Sequence, residues 1–371
     1  MFKYIKVFDN HTDYMADKDN FDLPNTSYCI QENEVHYNPY VHDYSQDYLT
    51  FEALEDGTFQ FTKAINYSTD GGATWAELAA NTTTPTVTVG SKIMWRAEIT
   101  PGSSYPSFGI GTFSSTGNFN AEGNVMSLLY GDNFKDQTGL TEKNHAFYQL
   151  FNNCSNLINA KNLSLPVTTL ANSCYEFMFN GCTNLVTAPA LPATTLANSC
   201  YSSMFQGCTS LTAAPALPAT TLANYCYGSM FYDCTSLTTA PELPAITLAE
   251  NCYDSMFQGC TSLTTAPVLP ATTLANYCYN YMFYDCTSLT TAPVLPATTL
   301  ISDCYRYMFY GCRSLNYIKA MFTTTPSTAY TQNWVNSVAS MGTFVKNTAA
   351  TWNVTGVDGI PTGWTVQTAS A

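Results

Sequence analysis

Residues 252–277 read CYDSMFQGCTSLTTAPVLPATTLANY, and residues 278–303 read CYNYMFYDCTSLTTAPVLPATTLISD. Two adjoining 26-residue stretches this alike are one structural unit used twice. The cysteines extend the count. Cys174 and Cys182, Cys200 and Cys208, Cys226 and Cys234, Cys252 and Cys260, Cys278 and Cys286, and Cys304 and Cys312 are each eight apart, and each pair returns after 26 residues. A period of roughly 20 to 50 residues is the mark of a solenoid or array. One earlier copy, AFYQLFNNC, places Ala146 at the first cysteine position and Cys154 at the second. There AKNLSLP replaces APALP, so that copy has 28 residues. The reading is seven coils between about Asn144 and Ala320, with Cys29 outside them.

Two patterns alternate within a coil. Leu196, Cys200, Met204 and Cys208 recur at steps of four beside Tyr201 and Phe205. That stripe predicts a helix of about three turns. Asn or Ser before it and Gly207 or Gly259 near its end fit helix caps. Ser-Leu-Thr-Thr-Ala then alternates and stops at Pro215, Pro241, Pro267 and Pro293, which predicts a short strand. The second proline of each coil sits in an extended or turn segment. One coil cannot bury enough apolar surface to stand alone, so stability is collective and the ends need caps. The strands are expected to form a parallel sheet spaced about 4.8 Å.

The segment CYGSMFYDCTSLTTAPELPAITL, residues 226–248, resembles the BspA-like (Treponema-type) leucine-rich repeats. Met230-Phe231, Cys234, Ser236, Leu237 and Pro241 occupy the places of that family's A-F-x-x-C-x-S-L-x-x-I-x-I-P form. The resemblance covers roughly half the chain. It implies a solenoid used for adhesion or recognition, and it implies no catalytic residues. LPNTSYCIQENEVHYNPY (23–40), YLTFEALEDGTFQFT (48–62) and GNVMSLLYGDNF (123–134) resemble structural proteins of bacteriophages infecting gut anaerobes. They imply a virion component such as a fibre, or a capsid or tail appendage.

The remaining regions frame the repeats. Thr50–Thr62, Pro85–Val89 and Lys92–Ile99 alternate and are separated by turns at Asp70-Gly71-Gly72, Pro101-Gly102 and Ser114–Gly117. The expected fold class is α+β: a β-rich, sandwich-like domain, then a leucine-rich-repeat solenoid of about seven coils with a C-terminal cap. The divisions are 1–47 as a docking segment, 48–123 as the β domain, 124–320 as the solenoid with its N-terminal cap, and 321–371 as the C-terminal cap. Within the last, TQNWVNSVAS (331–340) is expected as a capping helix. Phe344-Val345 and Trp364–Val366 are expected as terminal strands.

Composition narrows the function. Net charge is −14, which repels nucleic acid and anionic membranes. No apolar run reaches the roughly 18 residues of a membrane span. MFKYIKVFDNHTDYMADKDNF at the N-terminus lacks the features of a secretory signal. Either a signal has been trimmed or the chain leaves the cell by another route, such as a particle released by lysis, and Met1 favours the second.

Candidate chemistry is sparse. The cysteines could fill the core, pair as disulfides or hold a metal. Their eight-residue spacing on the apolar stripe, and the lack of His after His145, favour the core. Ser68-Thr69-Asp70-Gly71-Gly72-Ala73-Thr74-Trp75 matches the Asp-box form, a structural hairpin even in sialidases. His11, His36 and His42 lie among carboxylates where a metal is conceivable, but no metal is expected. No nucleophile motif or phosphate loop is present, so no catalytic residue, cofactor or enzyme activity is expected.

Comparing the coils with one another locates the variable positions. Tyrosine collects in the later coils, off the apolar stripe, at Tyr225, Tyr232, Tyr277, Tyr281, Tyr284, Tyr307 and Tyr310. Tyr beside Ser and Asn is the chemistry of adaptable binding surfaces. The plainer alternative is that these rings cover apolar surface. The expected function is a virion recognition protein on the particle surface. It docks to other virion proteins through the N-terminal region and faces a host cell-surface glycan or protein. It is expected to be a homo-oligomer. A bacterial cell-surface adhesin and, further off, a glycan-active enzyme are the alternatives.

Overall fold

Alternating apolar residues make the strands of the N-terminal region. The computed structural model describes residues 7–8, 29–30, 42–104 and 108–369. Met1–Asp43 and Tyr44–Ala371 are separate units. In the first, β1 (Val7–Phe8) pairs in parallel with β2 (Cys29–Ile30). In the second the strands are β3 (Leu49–Ala53), β4 (Phe59–Phe61), β5 (Ile65–Ser68), β6 (Ala76–Leu78), β7 (Lys92–Arg96), β8 (Phe113–Ser115), β9 (Phe119–Asn124) and β10 (Leu157–Ser164). A six-stranded sheet runs β10-β9-β3-β7-β5-β6, and β4 pairs with β8 separately. Phe51 of the large sheet packs on Phe59 and Phe113 of the small pair, with ring centres 5.3 and 4.9 Å apart.

This region has no core of its own. β10 belongs to the first repeat, yet it pairs in parallel with β9, Leu157 facing Phe119. Phe113 N–H donates to Leu150 C=O at 2.8 Å, and the Phe151 ring lies 5.8 Å from Phe51. One hydrophobic core therefore runs from Leu49 to Trp364.

The repeats correct the sequence reading. The expected helices are absent. Among the described residues the α-helix is a single turn, α1 (Ser127–Tyr130), so the α+β expectation gives way to a mostly β chain with few helices. The Cys-Tyr-x-x-Met-Phe stretch is instead a run of four-residue turns. Tyr225, Ser229 and Asp233 have φ of 57°, 53° and 55°, and equivalent residues one unit later have the same left-handed backbone.

Hydrogen bonding explains why this form wins. Gly228, Met230, Tyr232 and Cys234 donate locally to Tyr225, Tyr227, Ser229 and Phe231, at 3.1–3.2 Å. The intervening Tyr227, Ser229, Phe231 and Asp233 donate to Cys252, Asp254, Met256 and Gln258 of the next unit, at 2.7–3.1 Å. Every N–H from 225 to 234 thus finds a carbonyl, half within its own turn and half one unit away. A helix would satisfy the same groups locally but would join nothing to its neighbour. It would also rotate a four-residue stripe by about 40° per step. The four-residue turn keeps the stripe on one wall.

That wall is filled by identical side chains in register. Phe151, Phe179, Phe205, Phe231, Phe257, Phe283 and Phe309 stack with ring centres 5.4–5.7 Å apart. A second column, Tyr175 to Tyr305, stacks at 5.6–5.9 Å. The described cysteines, Cys154 to Cys312, are buried free thiols. Burial pushes Cys174, Cys252 and Cys304 up to about 12, which makes them inert space-fillers. The second cysteine also closes a bond: Cys234 Sγ donates to Phe205 C=O at 3.1 Å, and Cys260 to Phe231 at 3.0 Å. A small apolar group with one weak donor suits that place.

The buried phenols of Tyr175, Tyr201, Tyr227 and Tyr305 have no hydrogen-bond partner. An unpaired hydroxyl in an apolar core contributes nothing that its desolvation does not offset. Tyr201→Phe is therefore expected to leave stability within about 1 kcal/mol of the parent, or to raise it. Urea unfolding of the two proteins checks this, and a loss near 2 kcal/mol would mean that the hydroxyl is paired.

The predicted strands are reduced as well. Thr187, Ala213, Thr239 and Thr265 meet only as single parallel bridges. Two prolines follow in each unit, such as Pro241 and Pro244, and each lacks the donor that a ladder requires. Strands form where the first of those prolines is missing: β10 at the start, and β11 (Tyr317–Ala320) at the end, where both are absent. β11 pairs in parallel with β12 (Thr343–Lys346), and β12 with β13 (Thr365–Thr368). The expected capping helix at 331–340 is also a run of turns. Asn333 and Ser337 have φ of 52° and 61°, and Phe309 N–H and Gly311 N–H donate to Trp334 and Asn336. Trp334 and Val335 stand where Met308 and Phe309 stood one unit earlier.

Candidate functional site

The turn geometry sorts side chains by position. The two cysteines, the first tyrosine, Met and Phe point inward. The two residues after Cys-Tyr and the two after Met-Phe sit at the corners, where the large rings are half-buried and the small residues Ser203, Gly228 and Gly259 are buried. Tyr281 and Tyr307 occupy one corner position in consecutive units, and Tyr284 and Tyr310 the other.

Four of the seven predicted tyrosines come together. Tyr281 and Tyr307 stack at 4.7 Å with planes 9° apart, and Tyr284 and Tyr310 stack at 4.7 Å and 4°. The two stacks touch, with Tyr281 5.5 Å from Tyr284 and Tyr307 5.8 Å from Tyr310. All four are half-buried, so they cover one another while keeping edges and outer faces in solvent. Tyr225 is 46 % exposed. Tyr225, Tyr232 and Tyr277 join no ring pair among the described residues, and Tyr225 and Tyr232 belong to a unit two before that of Tyr281.

A polar row lies beside the array. Asp254, Asn280 and Arg306 fill one position in three successive units. Asn280 Nδ2 donates to Asp254 Oδ1 at 2.7 Å, and the Arg306 guanidinium lies 5.4 Å from the Tyr307 ring centre and 3.9 Å from Asp303. Asn280 Oδ1 and Arg306 Nε are buried and make no hydrogen bond. Tyr307 is held from the far side, where Asn333 Nδ2 donates to its hydroxyl at 3.2 Å. Asp254 escaped the sequence reading because its column reads Glu176, Ser202, Gly228, Asp254, Asn280 and Arg306, with no residue type in common. That variability was the available signal.

Burial raises the Asp254 carboxyl from 3.8 to about 6, against the opposing pull of its Asn280 hydrogen bond and Arg306. Its folded value lies above its unfolded value. The protonated form therefore suits the folded state, and stability falls as pH rises through about 4 to 6. Asp254→Asn keeps the hydrogen bond without the charge. It is expected to be more stable than the parent by about 2–3 kcal/mol at pH 7.5, with the gain vanishing near pH 4. Unfolding midpoints of the pair across that range measure it, and a pH-independent difference would refute the assignment.

The other candidates resolve into structure. Asp70 Oδ1 accepts from Thr74 N–H at 2.9 Å and from Ser68 Oγ at 2.7 Å, and Oδ2 accepts from Thr74 Oγ1 at 2.6 Å. These bonds hold the carboxyl down at about 2. Gly71 and Gly72 take φ of 74° and 90°, so this Asp-box is a turn. Its Trp75 packs against Tyr48 at 5.0 Å and under Arg96 at 4.2 Å. Arg96 also pairs with Asp132 at 2.5 Å, beside a cavity of about 310 Å³ lined by Asn66, Ala97, Glu98 and Gly131. His145 stacks on Phe108 at 4.1 Å, and burial lowers its imidazole. His11 and His36 lie outside the described residues. No cluster of metal-ligating side chains occurs among the described residues, and no helix among them is long and apolar enough to cross a membrane.

Comparison with known proteins adds the family. A search of curated proteins returns no match. The profile for the BspA type leucine rich repeat region matches six copies, over residues 148–263 and 224–333. Together these span 148–333, half of the 371-residue chain. The matched stretch holds the stacked turns, the buried Phe and Tyr columns and the tyrosine array. The chain belongs to the BspA-type leucine-rich-repeat family.

Proposed function

We propose that this chain is a non-enzymatic recognition protein whose repeats form a solenoid of about seven coils. The solenoid presents its outer corners to a host cell-surface glycan or protein. The observation that carries the reading is the tyrosine array. Identical inward residues in every unit are what packing demands, but packing does not demand four stacked tyrosines on the outside of two units only. The repeat family supports a surface or adhesin-type role.

The carrier is a bacteriophage particle, with the N-terminal region docked to other virion proteins. This part rests on the phage-like stretches 23–40, 48–62 and 123–134. A homo-oligomer on the virion would multiply weak contacts into firm attachment. The alternative carrier is a bacterial envelope, where the same surface would serve as an adhesin.

The test is mass spectrometry of purified virus particles and of envelope fractions from the source culture. Peptides of this chain in the particles are expected. Their confinement to envelopes would replace the virion with the cell surface and leave the recognition role in place. Soluble chain that fails to bind host cells would remove the recognition role itself.

A further inference from the structure

Between one set of turns and the next, the chain runs along a second side of the repeats, where the prolines lie. Burial alternates there. Pro241, Leu243 and Ala245 are buried, and Glu242, Pro244 and Ile246 are exposed. The same leucine and alanine are buried in all five units that carry both prolines. Single parallel bridges hold successive units in register at both ends of this stretch, Thr239 to Thr265 and Thr247 to Thr273. The outward positions therefore line up as three rows. The first reads Ala190, Ala216, Glu242, Val268, Val294. The second is proline throughout, and the third is threonine except for Ile246.

Two features set this side apart. Glu242 is the one charged side chain in the three rows, although the chain carries −14. Glu176, Asp233, Asp254 and Asp285 stand on the turn side instead. Three consecutive units also expose an aliphatic residue: Ile246 at 65 %, Val268 at 78 % and Val294 at 47 %. A lone exposed valine is ordinary, but a run of aliphatics beside a row of prolines is a contiguous apolar strip. Folding does not demand it. Glutamate fills the Val268 position in one unit, and threonine fills the Ile246 position in four.

Size and charge narrow the occupant. Five units at about 4.8 Å each, and eight residues between the bridges at roughly 3.3 Å each, make a wall of about 24 by 26 Å. Two such walls face to face bury on the order of 1,200 Å², above the roughly 1,000 Å² that a specific contact must clear. Two copies at −14 each repel where their acidic surfaces meet, and the proline side is where they can approach. The first row is also graded, with alanine at one end and valine at the other. A two-fold axis turns one copy end for end. It sets Val294 and Val268 of one copy against Ala190 and Ala216 of the other, bulky side chains against small ones.

We infer that the proline side is the contact surface between two copies of this chain, packed face to face and antiparallel. Glu242 then meets its own copy across the axis, and the paired carboxylates keep the contact reversible. This gives the homo-oligomer of the proposed function its surface and rests on that part of it. It does not depend on what the tyrosines bind.

Sedimentation velocity of the full chain over a concentration series reads the contact. Val268→Glu and Val294→Glu place a charge where Glu242 already stands in another unit, so the fold accommodates them. Gln258→Glu adds the same charge on the turn side, as control. The parent is expected to show a monomer–dimer equilibrium. Both valine variants should weaken it by about tenfold or more, with monomer melting temperatures unchanged. Gln258→Glu should leave it unchanged, and Glu242→Gln should tighten it. A parent that stays monomeric overturns the inference, and so does association that both valine variants leave intact. Equal weakening by Gln258→Glu would reduce the effect to general repulsion and also overturns it. Host-cell binding by the same proteins separates this contact from recognition. A monomeric parent that binds cells removes the dimer and leaves recognition, whereas a dimer that binds no cell does the reverse.

Discussion

Phe231→Ala is expected to lower stability by about 3–5 kcal/mol, among the largest effects of any single truncation in this chain. The ring is fully buried and stacks on Phe205 and Phe257 at 5.7 Å each. Its backbone carbonyl accepts from Cys234 N–H and from Cys260 Sγ. Removing the ring opens a cavity that neither neighbour can fill, because each is held in register by hydrogen bonds to the next unit. The break falls in mid-array, so cooperativity should suffer as well as stability. Urea unfolding is expected to show a lower midpoint and a broader or divided transition. Tyr232→Ser, one residue later but on the outward corner, is expected to change the midpoint little. Equal losses for the two would mean that the outer tyrosines are packing residues.

Gly259→Ala is expected to cost about 2–4 kcal/mol, although it adds one carbon to a turn. Gly259 has φ of +74°, where an L side chain pays roughly 1–2 kcal/mol. Its Cβ would also overlap Asp233 Oδ1 of the preceding unit. The same relation joins Asp285 to Gly311 and Asn153 to Gly181. Gly207 follows another glycine, Gly181, and a Cβ on it would have 3.7 Å of clearance. The penalty at Gly259 should therefore depend on Asp233. Asp233→Gly combined with Gly259→Ala is expected to recover all but the backbone share. A double-mutant cycle reads this directly, and strict additivity would show that the carboxylate is not the obstacle.

Much of this was legible along the chain. The 26-residue period, the inward set Cys, Tyr, Met, Phe, Cys and Leu, and the cysteines as core filler all follow from repetition. The Asp-box turn was legible from its own motif, and the strands at Thr343–Lys346 and Thr365–Thr368 overlap the stretches expected from their apolar residues. The helix was misread because steps of four over a dozen residues look like a helical stripe. The tell was that the steps never became three. Asn, Ser, Asp and Tyr at every fourth outward position also hold a left-handed backbone that a helix interior would not use. The missing strand ladders trace to prolines present in the sequence, whose effect was underweighted.

The sequence by itself determined which residues repeat, which therefore face inward, and where tyrosine accumulates. Those properties depend on each residue's own polarity and its place in the period. Only the tertiary structure decided between turn and helix, because half of the N–H groups find their carbonyls 25–27 residues away. It alone also brought Tyr281, Tyr284, Tyr307 and Tyr310 into one array, left Tyr225, Tyr232 and Tyr277 outside it, and set Asn280 beside Asp254. Contacts between stacked units depend on how one unit sits on the next, and no single unit's sequence contains that.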